Sequence, residues 1–171
     1  MRARTRKNKT QEWTVCLEDT PMGSLLLTFT ANGLAALDFA GDGGNLPPGS
    51  PPPPSLSPMI EAVKKALSKY FAAGATDFAD LPLDLQGTPF QQKVWRELRR
   101  IPRGRTVSYK ELARRAGSPQ AFRAVGQANG HNPVPIIVPC HRVIAADGSL
   151  GGYSSGLDKK RWLLKHEGVL K

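Results

Sequence analysis

Seven of the fifteen prolines in this 171-residue chain fall within residues 41–58, GDGGNLPPGSPPPPSLSP. Proline lacks the amide hydrogen that helix and sheet ladders use, so no central strand or helix interior can run through such a block. It reads as an irregular, polyproline-like insertion, and the fold has to be assembled from what flanks it. No lysine or arginine lies within it. A flexible insertion is therefore expected rather than a proline-rich recognition peptide.

Ahead of the block, residues 1–11 read as a disordered basic arm, and 12–80 as a small α/β domain that carries the proline-rich loop. Thr14–Leu17, Leu25–Phe29 and Leu34–Phe39 are short apolar runs separated by Pro21-Met22-Gly23 and by Asn32-Gly33. Asn-Gly between two such runs predicts a hairpin whose turn residues adopt positive φ, and the three runs together predict a β-meander. Behind the block, Ile60, Val63, Ala66, Leu67, Tyr70 and Phe71 form a helical stripe over Met59–Ala73, ended near Gly74. Residues 81–88 read as a linker.

Charge separates the two ends of the chain. Residues 1–85 carry 8 basic and 9 acidic side chains, whereas residues 86–171 carry 16 and 5. A strongly basic C-terminal half suggests a polyanionic partner, nucleic acid foremost. No apolar run approaches the roughly 20 residues of a membrane helix. The basic N-terminus lacks the apolar stretch of a secretory signal. Two cysteines and three histidines are too few for a disulfide framework or a zinc cluster, so neither metal nor cofactor is expected. A cytoplasmic location follows, or a nuclear one in a eukaryote.

The C-terminal part, 89–171, reads as mostly helical. Phe90, Val94, Leu98 and Ile101 recur at helical spacing before Pro102-Arg103-Gly104 stops the helix. Ser108 with Glu111 forms a capping-box pattern that opens a second helix, ending about Ala116. Gly117-Ser118-Pro119 is a tight turn, with Ser118 as cap and Pro119 at the first position of a helix reaching about Ala128. Two short helices about a glycine turn fit a helix-turn-helix. The second is rich in small residues, Ala121, Ala124, Gly126 and Ala128, which suit close helix packing or a helix lying in a DNA groove.

The segment His131–Val143 is a strand-like apolar run bracketed by prolines that delivers Cys140, His141 and Arg142. A histidine, an arginine and the general positive field could lower the thiol pKa and make Cys140 a nucleophile. His141 would need a turn or a water to reach the sulfur, and a carboxylate behind it to fix its tautomer, for which Glu167 is one candidate.

Pro-Cys-His-Arg-Val (139–143) after Asn-Pro-Val-Pro (132–135) resembles the active-site signature of the O6-alkylguanine–DNA alkyltransferases. Phe90–Trp95, Val107-Ser108-Tyr109, Arg123–Gly126, Gly152-Tyr153-Ser154 and Trp162–Leu164 with His166-Glu167-Gly168 resemble further landmarks of that family, in its order. The resemblance is strong over about 86–170; over 12–80 it rests on Thr20-Pro21-Met22-Gly23 before a strand. It implies an α+β protein of two domains, the first ribonuclease-H-like and the second containing the helix-turn-helix.

The resemblance also implies a chemistry. Cys140 takes an alkyl group from O6 of guanine in double-stranded DNA, once per molecule. Glu167, His141 and a bound water hold the thiolate, and Asn132 orients the segment. Tyr109 assists the departing guanine, while Val143, Tyr153 and Ser154 bind it. Arg123 fills the stack vacated by the flipped nucleotide. Ala124, Gly126, Ser118 and Gln120 meet the minor groove without strong sequence preference. A monomer without membrane contact is implied. Alternatives remain: a protein that recognises alkylated DNA without repairing it, a helix-turn-helix regulator with a sensor cysteine, and a thiol hydrolase.

Overall fold

The computed structural model describes residues 11–40, 49–73 and 78–171. The expected basic arm therefore lies outside the described residues but for Gln11, as does the first part of the proline-rich block. Three antiparallel strands, β1 (Trp13–Leu17), β2 (Leu25–Phe29) and β3 (Leu34–Phe39), form a meander in the order β1-β2-β3. Leu25, Leu27 and Phe29 alternate inward and are fully buried, as the two-residue period of a strand requires. The Asn32-Gly33 connection is not the expected turn, because neither residue has positive φ. Instead Thr30 and Gly33 close a four-residue loop, and the Asn32 amide donates to Thr30 Oγ1 at 3.1 Å. Glycine is needed at 33 for space, since a Cβ there would stand 2.7 Å from the Pro82 carbonyl.

The proline-rich block is irregular only in part. Pro54–Leu56 form a 3-10 turn that buries Leu56, and α1 (Ser57–Ala73) starts directly after it. Pro58 thus sits in the first turn of a helix, where a missing amide hydrogen breaks no bond. The stripe Ile60, Val63, Leu67 and Tyr70 faces inward. The segment read as a linker is pinned to the sheet: Leu34 donates to Pro82 O, Asp84 donates to Leu34 O, and Thr30 Oγ1 donates to Asp84 Oδ2 at 2.6 Å.

Helix α2 (Pro89–Arg99) opens on a complete capping box, Thr88 with Gln91, and buries Val94, Trp95 and Leu98. Helix α3 (Tyr109–Arg115) follows the two-residue strand β4 (Val107–Ser108), with Ser108 accepting from the Glu111 amide. Glu111 does not complete the box, because its carboxylate pairs with Arg114 and Arg115. The next helix, α4 (Phe122–Gly130), begins three residues later than Pro119. Ser118 is not its cap: residues 118–121 form a turn closed by Ala121 N–H on Ser118 O, and Ala121 occupies the cap position. Trp95 Nε1 donates to Ala128 O at 2.8 Å and ties α2 to α4.

Residues 131–139 are turns rather than a strand. Three prolines interrupt the ladder, Ile136 adopts φ of 73°, and the bonds that form are local, such as Val138 N–H to Val134 O. Cys140–Arg142 make a 3-10 turn leading into β5 (Val143–Ile144), which pairs in parallel with β4. The C-terminal helix α5 (Leu157–His166) buries Leu163, Leu164 and Lys160. Among the described residues the result is a mixed α/β architecture with a three-stranded sheet, the short β4–β5 pair and five α-helices, most of its buried apolar residues joined in one cluster from Leu25 to Leu163. No helix among the described residues is long and apolar enough to cross a membrane.

Candidate active site

Cys140 and His141 lie in the 3-10 turn rather than on an extended chain. Both side chains are buried, at 3% and 0% exposure, together with Arg142 and Glu167. Glu167 caps the C-terminus of α5 and returns its carboxylate to the turn. Oε1 accepts from His141 Nε2 at 3.0 Å, Arg142 Nη2 at 2.7 Å and Tyr70 Oη at 2.9 Å, and Oε2 accepts from Arg142 Nε at 2.8 Å. Arg142 spends its remaining nitrogen on Ile101 O at 2.6 Å.

Burial alone would push the Glu167 carboxyl up, but the hydrogen bonds from His141 and Arg142 and their charges hold it far below the usual carboxylate range. Glu167 is therefore an anion that orients rather than a base that collects protons. An ionised acceptor at Nε2 requires that nitrogen to carry the imidazole proton. Nδ1 is then the basic nitrogen, buried and without a hydrogen-bond partner among the described residues. Burial also pulls the imidazole pKa below its ordinary value, so the ring is neutral near pH 7 and able to accept a proton.

The thiol contradicts one expectation. Its pKa is raised, not lowered, because complete burial outweighs the Asn132 side chain, the Lys160 charge and the Tyr153 hydroxyl, which all favour the thiolate. Cys140 rests as a neutral thiol beside a neutral imidazole. Asn132 holds the turn from inside, donating to Val138 O at 2.7 Å and accepting from the Val134 amide at 3.1 Å. Asn129 Nδ2 reaches the Cys140 carbonyl at 3.5 Å.

Lys160 went unnoticed in the sequence. It is fully buried on the same helical face as Leu163 and Leu164, spaced i, i+3, i+4, which was the available signal. Its ammonium donates to the carbonyls of Val143, Leu150 and Gly152, pinning the loop that carries Tyr153 and Ser154. Burial pushes its pKa down to about 8. Tyr70 was equally unseen as a site residue, since its place on the α1 stripe marks it as ordinary core.

The remaining candidates fall into two groups. Tyr109 is half-buried at the start of α3, its hydroxyl 3.5 Å from Gly152 O and its pKa raised by burial and by Cys140. Tyr153 has its hydroxyl buried beside the thiol and raised well above the ordinary tyrosine range, by burial first, while Ser154 is exposed next to it. Val143 is completely buried. On the outer surface, Arg123, Ala124 and Gln120 are exposed, Ser118 is half-buried, and Gly126 meets Tyr109, whose ring would lie 3.8 Å from a Cβ at 126.

Residues 89–169 match the 6-O-methylguanine DNA methyltransferase, DNA binding domain family. A methylated-DNA–protein-cysteine methyltransferase of Mycobacterium bovis is 52% identical over 118 residues, 69% of this chain and 68% of the relative. One from Methanosarcina barkeri is 44% identical over 149 residues, 87% of this chain and 93% of its own. The chain belongs to the methylated-DNA–protein-cysteine methyltransferase family.

Solved structures extend the likeness beyond residues 89–169. The Mycobacterium tuberculosis O6-methylguanine methyltransferase superposes with a TM-score of 0.76 at 43% identity, covering 92% of this chain and 93% of that one. A second structure of the mycobacterial protein, in complex with DNA, gives 0.75 at the same identity, covering 93% and 94%. Membership of this methyltransferase family therefore accounts for the meander and α1 as well as for the helical region.

Proposed function

We propose that this chain repairs DNA by moving an alkyl group from O6 of guanine to Cys140, one group per protein molecule. The observation that carries the reading is the His141–Glu167 pair: an oriented, neutral imidazole with its free nitrogen buried, immediately after a cysteine. The thiol proton passes to His141 Nδ1 through a bound water as the sulfur attacks the alkyl carbon. The sulfur–carbon bond forms, the carbon–O6 bond breaks with its electron pair going to O6, and the guanine ring takes up a proton. Tyr109 supplies that proton, its raised pKa keeping the hydroxyl protonated at neutral pH. Lys160 and Tyr153 stabilise charge on the sulfur during attack, which is where a neutral resting thiol needs help. Nothing in this scheme removes the alkyl group afterwards.

O6 of guanine lies inside the duplex, so the nucleotide has to be rotated out at a cost of a few kcal/mol. In this reading α3 and α4 act as a helix-turn-helix whose α4 lies in the minor groove, with Arg123 filling the vacated stack. Ala124 and Gly126 allow close approach, Ser118 and Gln120 sit at the turn beside the backbone, and Val143, Tyr153 and Ser154 frame the guanine. The basic C-terminal half supplies sequence-independent phosphate attraction. A monomer suffices for this chemistry.

The test is a duplex carrying one O6-methylguanine, followed by the mass of the intact protein. Replacement of one hydrogen by one methyl, stoichiometric and absent in Cys140→Ala, is expected. Binding without a mass change would favour the recognition-only alternative, and repeated turnover would defeat the single-use scheme.

A further inference from the structure

Two large apolar side chains stand out from the surface among the described residues, Phe122 at 48% exposure and Leu157 at 47%. Phe122 is the first residue of α4 and the neighbour of Arg123. On a helix, the residue four positions on lies on the same face, one turn along. For Phe122 that residue is Gly126, the point where α4 approaches the ring of Tyr109. Tyr109 in turn reaches the Gly152 carbonyl and is electrostatically coupled to Cys140. Phe122 is therefore placed one helical turn before the point where α4 meets Tyr109. Arg123 projects about 100° further round the same helical turn.

About half of the Phe122 side chain faces solvent, and a phenyl ring has no polar group that water could satisfy. The surrounding surface belongs to a half of the chain with 16 basic and 5 acidic residues, which draws a polyanion rather than an apolar protein face. Bases offer an aromatic ring what phosphates cannot, namely a flat apolar surface, and apolar wedges enter the minor groove between base steps in other DNA-bending proteins. We propose that Phe122 is a second DNA-contacting side chain, an aromatic that packs against the base and sugar flanking the extruded nucleotide while Arg123 occupies the gap in the stack. The two residues then divide the work. Arg123 fills the hole left in the duplex, and Phe122 holds open the side of the groove through which the nucleotide passes toward Tyr109. This rests on the reading of α4 as the DNA-facing helix.

The experiment uses the full chain and a duplex with one O6-methylguanine and a 2-aminopurine on its 3′ side. Single-turnover methyl transfer is measured on that duplex and on the free O6-alkylguanine base, for the wild type, Phe122→Ala, Phe122→Trp and Arg123→Ala. Loss of one aromatic–base contact is expected to lower the duplex rate of Phe122→Ala about tenfold relative to its free-base rate. Phe122→Trp should restore that ratio, and the 2-aminopurine signal on binding should differ between wild type and Phe122→Ala. A normal ratio in Phe122→Ala with a lowered one in Arg123→Ala would overturn the role of Phe122 and leave the reading of α4 standing. Normal ratios in both would overturn both. Equal slowing on duplex and free base would show Phe122 acting through the protein's own packing, and a wild-type dimer lost in Phe122→Ala would give the residue to a second copy of the chain. Either result defeats the proposal.

Discussion

The two regions of the molecule bury apolar side chains alike and polar ones very differently. Among the described residues, five of the six buried polar or charged ones, Asn129, His141, Arg142, Lys160 and Glu167, lie beyond residue 86, and Thr30 lies before it. Burying a charge is costly unless every donor and acceptor finds a partner. The N-terminal region avoids that cost with a meander whose inward residues are Leu25, Leu27, Phe29, Leu34 and Leu37. The C-terminal region accepts it around the Glu167 carboxylate, which binds His141 and Arg142, and around the Lys160 ammonium, whose charge acts on the Cys140 thiol. Tyr70 crosses the divide. Its hydroxyl is the contribution of α1 to the Glu167 carboxylate, and the N-terminal region otherwise acts on the site as a scaffold.

The largest effect should come from Glu167. Glu167→Ala removes the acceptor of His141, Arg142 and Tyr70 together and leaves a buried guanidinium unpaired. A loss of about 3–5 kcal/mol in urea unfolding is expected, along with alkyl transfer. If stability falls by less than about 1 kcal/mol, the polar cluster is not the energetic centre of the C-terminal region and the contrast between regions is weaker than drawn.

Lys160 sets the next effect, about tenfold on rate, and gives it a pH signature. Its pKa near 8 lies below the ordinary lysine value, so the ammonium that favours the thiolate is lost as pH rises through about 8. Transfer should therefore fall on the alkaline side with one ionisation near pH 8. Lys160→Gln should be slow at every pH and lack that limb. A wild-type rate that climbs steadily past pH 9 would mean that thiol ionisation, and not the lysine charge, governs the step.

Much of this was legible in the residues. The strand runs, the α1 stripe and the cap at Ser108 follow from local patterning, and Cys140 and His141 could be named from their chemistry, whereas spacing left Glu167 as one candidate that only the family resemblance singled out. The errors share a physical cause, which is that tertiary neighbours decided what local rules could not. Asn32-Gly33 looks like a tight turn, yet Gly33 is there because Pro82 passes 2.7 Å from where a Cβ would stand. Positive neighbours suggested a lowered thiol pKa, but complete burial of Cys140 outweighs them. Lys160 and Tyr70 could not be picked out as site residues because their partners are 8 to 97 positions away in sequence.

The smallest effect is the most discriminating for the contrast between regions. Tyr70→Phe keeps the ring in the core and removes one of four hydrogen bonds to Glu167, worth about 1 kcal/mol in stability and a few-fold in rate. A purely structural role would lower stability and leave the pH dependence unchanged. A positioning role acts through the carboxylate: with one donor fewer, Oε1 concentrates more negative charge on His141 Nε2–H and stabilises the imidazolium. The His141 pKa then rises from its lowered value, and the acid limb of the transfer rate, where the imidazole becomes protonated and can no longer accept the thiol proton, moves to higher pH. Single-turnover rates between about pH 4.5 and 7.5, below and above the ordinary imidazole range, resolve such a shift. An unmoved acid limb would leave α1 as scaffold alone and confine the chemistry to the C-terminal region.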